Sequence, residues 1–504
     1  MAVFLAAAVW MFLLAPEPAY FVNSAETGHQ LAGALNLLHF AQSPHVDYVT
    51  SYGPGRYWVS AFGLWLADGG LFGELLTRSA GHAVYLVLLF VVLRRVGAST
   101  AMASLLLAAA ALALPPGHKY WTALCPILVL YAVQRWCMAG SRRAAFGTGA
   151  TIGFAALFRP DYGLFALVPG LVAVATGSGA PGTRRRLAGE LFAGMLAPLL
   201  PWLLLVGANH DLGRFFADWA QVGSAVGSGL GLPHPLLSWT DITLSAAFAF
   251  VVGVPLTGLL QCRLAPHATR GLQRFALAVH LFALVNLVQS SHRADWPHLF
   301  QGIAPAFVSL AVVLVRGSDG IRSSVLRLAF PLLLAALLLP GRAVAPSRPA
   351  TAARNWAAAA LPKAEFARRH VDATPIGRVA AVARRCLAPA NPTAFFPFTP
   401  QLHYFAERPF AGGLPFLAPG FFDTVNRQRR AVEQLERERP ALLFWAEGFA
   451  YDGRADRNST RTHALVHAYV VSHYQRAGLV DGHTVFRRTG AVMPSPDCDS
   501  LPQK

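Results

Sequence analysis

Long apolar runs, separated by short polar breaks, fill the first two thirds of the chain. Examples are "HAVYLVLLFVVL" (82–93), "AMASLLLAAAALAL" (101–114) and "FPLLLAALLLP" (330–340). A helix needs roughly 20 apolar residues to cross the hydrocarbon core of a bilayer. Only 13% of the 504 residues are charged, whereas a soluble protein has about 25%. The pattern therefore predicts a polytopic α-helical membrane protein.

The apolar segments predict eleven membrane spans, and the bounds follow from where each run ends. They are 2–21, 79–93, 99–114, 120–138, 144–158, 162–177, 187–208, 241–260, 275–290, 299–315 and 324–340. Residues 54–72 are also partly apolar, but this run is too short and ends in Asp68-Gly69-Gly70. We interpret it as an interfacial helix that lies along the membrane.

The basic residues predict the orientation of these spans. With a cytoplasmic N-terminus, the arginine clusters at 94–95, 142–143 and 184–186 fall in cytoplasmic loops, as the positive-inside rule requires. Counting residues 54–72 as a span would place these clusters outside. The first polar loop, residues 22–78, is therefore predicted to face outward. We expect a bacterial cytoplasmic membrane protein whose C-terminal part is also outside.

The composition changes near Arg342, where charged residues become frequent and the long apolar runs end. We therefore predict a transmembrane domain of residues 1–341 and an extracytoplasmic α/β domain of residues 342–504. Strands are predicted at "RVAAVAR" (378–384), "ALLFWA" (441–446) and "HTVFRR" (483–488), with helices near 422–438 and 462–477. Cys386 and Cys498 can pair only if this domain lies in an oxidising compartment.

We interpret the formal net charge of +17 as the result of an arginine-rich composition together with the positive-inside rule. The mixed charges of residues 342–504 argue against a nucleic-acid-binding face. No Cys-x-x-Cys pair is present, and we predict neither a resident metal nor a cofactor. A divalent ion at Glu26 and Asp47 is the alternative.

Three polar segments fall on the predicted outer side: Ser24–Tyr57, "FRPDYG" (Phe158–Gly163) and "SSHRADWPH" (Ser290–His298). Charged groups at membrane depth are costly and usually face a polar cavity, so we expect these segments to line one outward cavity. A carboxylate can take a proton from a hydroxyl nucleophile, and arginine can hold a phosphate. Apolar helices around the cavity would accommodate a lipid chain.

The first loop, "AETGHQLAGALNLLHFAQSPHVDYVTSYGPGRYWVSAFGLWL", resembles the first outer loop of the GT-C glycosyltransferases. It is most similar to the bacterial branch related to protein O-mannosyltransferases and the lipid A aminoarabinose transferase. The matching positions are Gly28, Leu31, Asp47, Tyr48, Tyr52, Gly53, Pro54, Tyr57 and Trp58. The family usually has Asp and Glu where this chain has Glu26 and Thr27. Residues 400–413 and 427–445 resemble the family's tail.

The resemblance implies a GT-C fold and a polyprenyl-phosphate-linked sugar as donor. An acceptor hydroxyl of a glycan, lipid or protein would attack the anomeric carbon, normally with inversion. Glu26 is then the expected base, and Asp47 shares that role or orients the acceptor. Arg159 and Arg293 are expected at the lipid phosphate, with Lys119 and His298 as further candidates. The other expected substrate-binding residues are Tyr52, Arg56, Asp161 and Asp295.

Each assignment has a structural alternative. Glu26 would suit a helix N-terminus without any catalytic role, and Asp47 would suit a turn cap. Arg159 with Asp161, and Arg293 with Asp295, would suit local ion pairs. Two other functions also stay open: a transporter or flippase of lipid-linked sugars, and a non-catalytic membrane protein of GT-C type.

Overall fold

The computed structural model describes residues 2–50, 52–177, 180–209, 212–213, 215–216, 220, 241–264, 270–292, 295–316, 321–341, 346–420, 423–493 and 498. The described part of the chain is mostly helical, with one small sheet. The chain divides into two compact units. The first unit is Met1–Leu14, Arg78–Leu203 and Gly231–Ser347, and the second is Ala15–Thr77, Leu204–Leu230 and Arg348–Lys504.

The elements follow in chain order, with helices numbered separately from strands. Up to residue 338 they are α1 Ala2–Leu13, α2 Pro18–Asn23, α3 Ala25–His39, α4 Pro54–Leu66, α5 Leu71–Arg95, α6 Thr100–Leu112, α7 Trp121–Ala139, α8 Arg142–Phe158, α9 Pro160–Ala175, α10 Pro181–Asn209, α11 Ile242–Leu264, α12 Arg270–His292, α13 Trp296–Gly302, α14 Ala304–Arg316 and α15 Ile321–Leu338. Beyond it they are α16 Pro349–Ala359, α17 Lys363–His370, α18 Pro375–Cys386, β1 Phe395–Phe396, α19 Gln401–Ala406, α20 Val425–Glu438, β2 Leu442–Trp445, α21 Ser459–Thr462, α22 Ala464–His473, β3 Tyr474–Val480 and β4 His483–Arg488.

Helix ends in the first unit coincide with the polar breaks of the sequence. Ser99 caps α6 by accepting a hydrogen bond from the Met102 amide at 3.2 Å, and Ser141 caps α8 by accepting one from the Ala144 amide at 3.2 Å. Side-chain caps of this kind satisfy amides that have no partner within the helix. Gly140 adopts φ 65° after α7, a left-handed conformation that costs glycine little.

Among the residues that the structure describes, five helices are long and apolar enough to cross a membrane: α5, the segment Gly117–Ala139, α10, α11 and α12. The pair α13 and α14 makes a sixth if it counts as one span, although the two helices are bent by 60°. Four shorter apolar helices, at 2–13, 100–112, 160–175 and 327–338, fall below that length. The chain is therefore a multi-pass membrane protein, while the predicted total of eleven spans stays a prediction.

Two predicted spans are not single helices. The span at 2–21 is interrupted, because α1 ends at Leu13 and α2 begins at Pro18. Proline lacks the amide hydrogen that would continue the helix. Pro16 falls in this break, and Pro18 is the first residue of α2. The span at 299–315 contains the bend between α13 and α14.

The core of the first unit is formed by buried aliphatic and aromatic side chains from its helices, including Leu89, Leu106, Leu130, Val279 and Phe307. Helices α8 and α10 approach closely through glycine. A Cβ atom on Gly149 or Gly153 would overlap the backbone of α10 at Leu191 or Met195. Small residues at such positions are typical of helices that pack in membranes.

The second unit contains a four-stranded sheet in the order β1-β2-β4-β3. Strand β1 is parallel to β2, with Phe395 opposite Phe444, while β2 and β3 are antiparallel to β4. The strands expected at 441–446 and 483–488 correspond to β2 and β4. The strand expected at 378–384 is wrong, because these residues lie in α18, whose N-cap Thr374 accepts a hydrogen bond from the Gly377 amide at 3.1 Å.

Residues 15–77 share the core of the second unit with the C-terminal residues. Leu31 and Leu35 of α3 belong to one buried cluster with Phe395, Leu402 and Phe444. Cys386 and Cys498 form a disulfide across 112 residues of sequence. The predicted boundary between residues 341 and 342 separates a transmembrane domain from an extracytoplasmic domain. The division into compact units does not show on which side of a membrane a residue lies, so this boundary stays a prediction.

Candidate active site

Helix α3 begins at a polar cap that places Glu26 in its first turn. Ser24 is the N-cap and accepts a hydrogen bond from the Thr27 amide at 3.2 Å. The free amides at a helix N-terminus favour negative charge, and Glu26 is the acidic residue of this turn. Its side chain is 35% exposed, so a buried helix presents one accessible carboxylate at its start.

The side chain of Arg56, on α4, is fully buried next to Glu26. Its Nη2 donates to the Glu26 carbonyl oxygen at 2.7 Å and lies 3.8 Å from the Glu26 carboxylate oxygen Oε2. Its Nε donates to Oε1 of Gln30 at 3.1 Å, and the guanidinium carbon lies 4.0 Å from the centre of the Tyr52 ring. A buried charge needs such hydrogen bonds to offset its lost hydration. Arg56 therefore joins α3, α4 and the loop before α4.

Gln30 extends this network within the second unit. Its Nε2 donates to Glu74 Oε1 at 3.0 Å and also bonds the hydroxyl of Ser60. Gln30, Ser60 and Glu74 are all buried. These three residues are not among the sites predicted from the sequence. The four-residue spacing of Glu26 and Gln30, which places both on one side of a helix, was a usable signal for Gln30.

The network determines the electrostatics around Glu26. Burial alone would lower the pKa of Arg56, but Tyr52, Tyr57 and Glu26 raise that pKa above its ordinary value. The guanidinium is therefore a permanent positive charge beside the carboxylate. Tyr52 donates its hydroxyl hydrogen to Glu26 Oε2 at 3.2 Å. Charge and hydrogen bond together stabilise the anionic form of Glu26, the form that accepts a proton.

A second buried group lies behind this carboxylate and consists of His29, Thr50 and Tyr57. The Tyr57 hydroxyl lies 3.1 Å from Nε2 of His29 and 2.7 Å from Oγ1 of Thr50. Burial, and then the charge of Arg56, lower the pKa of His29 to about 3. Burial raises the pKa of Tyr57. Both groups are therefore neutral near pH 7 and act as hydrogen-bonding supports.

Asp47 lies in the loop between α3 and α4 and is half-buried. Its Oδ2 accepts a hydrogen bond from the Ser43 amide at 2.7 Å, and its carbonyl oxygen accepts one from Gln434 Nε2 at 3.3 Å. The first bond is that of a turn-forming aspartate. The loop is tied to the Glu26 region because His45 Nε2 lies 2.8 Å from the carbonyl oxygen of Tyr52.

The C-terminal residues form one wall of this region within the second unit. A Cβ atom on Gly28 would overlap Gln401 of α19, so glycine permits α3 and α19 to touch. The buried polar atoms of the second unit that have no hydrogen-bond partner among the described residues include Nη1 of Arg56, the hydroxyl of Tyr48 and Oε1 of Gln401. Unsatisfied buried polar atoms are rare and are explained by bound water or by a ligand. The network of Arg56, Gln30 and Glu74 is thus a polar region with capacity for further hydrogen bonds.

In the first unit, Arg159 and Asp161 lie where α8 meets α9. Arg159 Nε and Asp161 Oδ1 are 2.8 Å apart, and the side chains are 22% and 34% exposed. Asp161 Oδ1 also accepts a hydrogen bond from the Tyr162 amide at 3.0 Å. Lys119 ends a single 3-10 turn before α7 and is buried. The predicted pairing of Arg159 with Asp161 is therefore present.

Asp295 and His298 form the second predicted cluster. Asp295 caps α13 by accepting a hydrogen bond from the His298 amide at 3.0 Å, and its Oδ1 lies 2.6 Å from Nδ1 of the same histidine. The side chains of His298 and Asp295 are 24% and 30% exposed. Arg293 lies outside the described residues, so its predicted role stays a prediction.

The structure brings these segments of the first unit together. The Tyr162 hydroxyl donates to the carbonyl oxygen of Gln301 in α13 at 3.1 Å. The ring of Trp121, two residues after Lys119, lies 5.5 Å from the Tyr162 ring and stacks on Phe158 at 6.0 Å. Aromatic contacts therefore join the Lys119 turn to the α8–α9 junction, and Tyr162 joins that junction to α13.

Among the described residues, no three His, Cys, Asp or Glu side chains group as ligands for a metal ion. His463 and His467 are four residues apart in sequence, and His467 Nε2 lies 3.9 Å from Glu447 Oε1.

No protein-family model matches the chain, and no curated protein matches it either. Solved structures do match. ArnT from Cupriavidus metallidurans bound to undecaprenyl phosphate aligns with a TM-score of 0.54 and 15% identity, over 100% of this chain and 99% of that chain. The apo form of the same ArnT aligns with a TM-score of 0.49 and 16% identity, over 96% and 97%. The Archaeoglobus fulgidus oligosaccharyltransferase aligns with a TM-score of 0.46 and 13% identity, over 94% and 71%.

The chain is therefore a multi-pass membrane protein with the GT-C fold, as the resemblance of its first loop predicted. Within that fold, the full-length alignment is with the aminoarabinose transferase ArnT. At 15% identity the likeness concerns the fold, and the chemistry has to be argued from the site itself.

Proposed function

We propose that the protein transfers a sugar from a polyprenyl-phosphate-linked donor to an acceptor hydroxyl on the outer side of the cytoplasmic membrane. The observation that carries this proposal is the partly exposed carboxylate of Glu26, held in its anionic form by Tyr52 and Arg56 at the start of a buried helix. A general base must be ionised and must reach the hydroxyl whose proton it removes. Glu26 meets the first requirement, and its exposure is consistent with the second.

The substitution of Glu for the family's usual Asp is compatible with this role. A glutamate reaches one methylene further, and Tyr52 restricts its carboxylate through a hydrogen bond of 3.2 Å. The backbone of the same residue is held by Arg56 at 2.7 Å. Preorganised charge of this kind is a main source of enzymatic rate enhancement.

The proposed reaction makes and breaks one bond at the anomeric carbon. Glu26 takes the proton of the acceptor hydroxyl, the acceptor oxygen bonds the anomeric carbon, and the bond from that carbon to the phosphate oxygen breaks. The polyprenyl phosphate leaves with the bonding electron pair, and attack from the opposite face inverts the configuration. Asp47 either shares the proton with Glu26 or orients the acceptor.

The lipid phosphate requires cationic ligands, since negative charge builds up on it as it leaves. We propose Arg159 and Arg293 for this role, with Lys119 and His298 as further candidates. Arg159 is partly exposed, so a phosphate can reach it, and Asp161 holds its side chain until then. Support for a polyprenyl phosphate comes from the fold likeness to ArnT, which was solved with undecaprenyl phosphate.

The proposed location outside the cytoplasm is supported by the disulfide between Cys386 and Cys498. Disulfides persist in oxidising compartments and are rare in the cytosol. The tail that carries them packs against the loop that follows α3 in the second unit, through the hydrogen bond from the Val49 amide to the Gly413 carbonyl oxygen at 3.0 Å. Both segments are therefore proposed to lie on the outer side.

The activity is tested by comparing envelope lipids and glycans, by mass spectrometry, from cells with and without the protein. The purified protein is then incubated with undecaprenyl-phosphate-linked sugars and the acceptor fraction identified in this way. Sugar transfer with release of undecaprenyl phosphate is the expected result. Donor movement across vesicles without release of undecaprenyl phosphate would indicate a flippase, and binding without either would indicate a non-catalytic protein.

The role of Asp47 is tested by Asp47→Asn, because asparagine can still accept the hydrogen bond from Ser43. Activity near that of the unmodified protein would assign Asp47 to the turn alone. A loss of activity with unchanged thermal stability would assign it to the chemistry. Glu190→Gln is the matched control, since Glu190 pairs with Arg142 at an exposed site of the first unit.

A further inference from the structure

A cleft of the first unit lies between α11 and α12 and has a volume of about 900 Å³. Its lining includes Thr176, Cys262 and Gln273. None of the residues assigned above to the donor or to the acceptor lines it. The cleft is therefore a separate site, which sugar transfer as proposed does not use.

The lining has two chemically distinct parts. Five leucines form an apolar wall: Leu256, Leu259, Leu260, Leu277 and Leu281. Three arginines, Arg263, Arg270 and Arg274, lie where α11 ends and α12 begins. No acidic residue is among the described residues that line the cleft. The cleft is thus apolar along its length and strongly positive at one end.

The dimensions of the cleft fit one leaflet of a membrane. Arg270 and Leu281 are eleven residues apart on α12, which corresponds to about 16 Å of helix at 1.5 Å per residue. The hydrocarbon core of a bilayer is about 30 Å thick, so a leaflet provides about half of that. An acyl chain that begins at the arginines can therefore follow the leucines through its leaflet.

The arginines have capacity for an anionic ligand. Arg263 and Arg270 are exposed, and neither forms an ion pair within the part of the chain that the structure describes. Arg274 donates from Nη2 to the Ala173 carbonyl oxygen at 2.7 Å, while its Nε is buried without a hydrogen-bond partner among the described residues. A buried donor without an acceptor costs stability, and a phosphate oxygen would satisfy it.

We propose that this cleft binds an anionic phospholipid, with the headgroup phosphate at Arg263, Arg270 and Arg274 and an acyl chain along the leucines. Basic pockets between transmembrane helices are a recognised type of site for anionic lipid headgroups. The predicted topology places these arginines at the cytoplasmic surface. The combination of three cations with a leaflet-long apolar wall favours a lipid over a soluble anion.

Cys262 provides a native probe of occupancy, because it lines the cleft and is partly exposed. Of the other four cysteines, Cys125 and Cys137 are buried and Cys386 is disulfide-bonded to Cys498. The experiment measures the rate at which an uncharged maleimide alkylates Cys262 in the delipidated full-length protein in detergent. Dioleoyl-phosphatidylglycerol, dioleoyl-phosphatidylcholine or inorganic phosphate is added at increasing concentration. Cys262→Ala measures the background.

Phosphatidylglycerol is expected to slow alkylation at concentrations where phosphatidylcholine and inorganic phosphate do not. Equal protection by both lipids would show an apolar groove without headgroup recognition, and protection by inorganic phosphate alone would show a simple anion site. No protection by any of the three would show an unoccupied cleft. Each of these three results would overturn the proposal.

Two sets of variants separate the headgroup contacts from the acyl contacts. Arg263→Gln with Arg270→Gln is expected to weaken half-maximal protection by phosphatidylglycerol about 25-fold, since each basic residue contributes about fivefold to binding of anionic lipid. Leu256→Trp with Leu260→Trp should fill the cleft and abolish protection. Arg143→Gln with Arg185→Gln is the matched control, because both arginines are exposed and neither lines the cleft.

The readout is the ratio of alkylation rates with and without lipid for each variant, so that changes in thiol reactivity cancel. Thermal unfolding without lipid shows whether a variant is folded. Unchanged protection in the folded arginine variant would contradict the proposed headgroup contact, whatever the leucine variant does.

Discussion

The two groups of candidate residues are built in opposite ways. In the second unit, Arg56 is fully buried and bonded to groups of α3, including the backbone of Glu26 and the side chain of Gln30. In the first unit, Arg159–Asp161 and Asp295–His298 are pairs of close sequence neighbours at helix ends, each partly exposed. A buried network fixes one carboxylate in place, whereas local pairs leave their cations accessible. The first arrangement suits a base, and the second suits a site that exchanges its partner for a phosphate.

The largest expected effect comes from removing the buried cation. Arg56→Met would leave two acceptors, the Glu26 carbonyl oxygen and Oε1 of Gln30, without their donor. It is expected to lower the free energy of unfolding of the second unit by about 3–5 kcal/mol. Thermal unfolding and limited proteolysis of the purified protein measure the loss. Arg142→Met is the comparison, because the Arg142 side chain is 68% exposed beside Glu190 and should change little. Similar losses in both variants would remove the distinction between buried and exposed charges.

Acidification should affect the second unit through its buried histidines. Burial lowers the pKa of His29 and of His403 to about 3, below the value of about 6.5 for an unfolded chain. The unfolded state then binds more protons below pH 6.5, so stability falls as the pH decreases from there. The expected loss is about 2 kcal/mol per histidine at pH 5 relative to neutral pH.

This pH dependence is measured by unfolding at pH 7 and pH 5 in the unmodified protein and in His403→Gln. The variant should lose less stability between the two pH values, even if it is less stable at both. His370, a partly exposed histidine, provides the control His370→Gln. An equal loss of stability between pH 7 and pH 5 in all three proteins would mean that the buried histidines do not control the acid sensitivity.

Helix contacts through glycine give the next largest effect. Gly28→Ala inserts a methyl group where α3 touches Gln401 and should destabilise the second unit by about 1–3 kcal/mol, as overpacking does. At Gly147 in α8, by contrast, a Cβ atom would have no neighbour within 4 Å among the described residues. Gly147→Ala should therefore be neutral or stabilise by about 0.5–1 kcal/mol through helix propensity. Destabilisation by both substitutions to the same extent would contradict the close approach of α3 and α19.

The smallest expected change in stability is that of Arg159→Gln, within about 1 kcal/mol, because partly exposed ion pairs contribute little. Its affinity for an undecaprenyl-phosphate-linked sugar should nevertheless fall about tenfold or more, the usual effect of losing a hydrogen bond to a charged group. Asp161→Asn is the control, since it removes the partner and keeps the cation. Unchanged donor affinity in Arg159→Gln would exclude Arg159 from the phosphate site.

Apolar periodicity and a family resemblance were enough to predict the helical membrane class and the GT-C fold. The broken span near Pro16 and the bend after Gly302 were not predicted, because hydropathy averages over a window and ignores backbone geometry. The strand expected at 378–384 was wrong because the apolar residues Val379, Val382 and Ala383 have a spacing that also fits one face of a helix. Thr374 and Pro375 together form a helix start, and that signal outweighs the strand pattern.

Glu26, Asp47, Tyr52 and Arg56 were selected from the sequence, and the structure places them on α3, α4 and the loop between them. Their partners Gln30, Ser60 and Glu74 were missed, since buried polar contacts between elements depend on tertiary packing. Gly28 was selected only because it matches a position in the first loop of the GT-C glycosyltransferases. Its contact with α19 could not be predicted, because it depends on how the two helices pack. Arg159 and Asp161 were paired as expected, because neighbours at helix ends are close in any helical arrangement. The contact of Asp295 with His298 was not expected, since the sequence suggested a pair of Asp295 with Arg293.

The measurement that tests the account most directly compares single-turnover sugar transfer by the unmodified protein and by Glu26→Gln. Glutamine keeps an acceptor for the Tyr52 hydroxyl and leaves the backbone contact with Arg56 intact, so folding and donor affinity should be unchanged. If Glu26 is the base, the transfer rate falls about 10²- to 10⁴-fold. A folded Glu26→Gln variant that transfers sugar at the rate of the unmodified protein would contradict the assignment of this carboxylate to the chemistry.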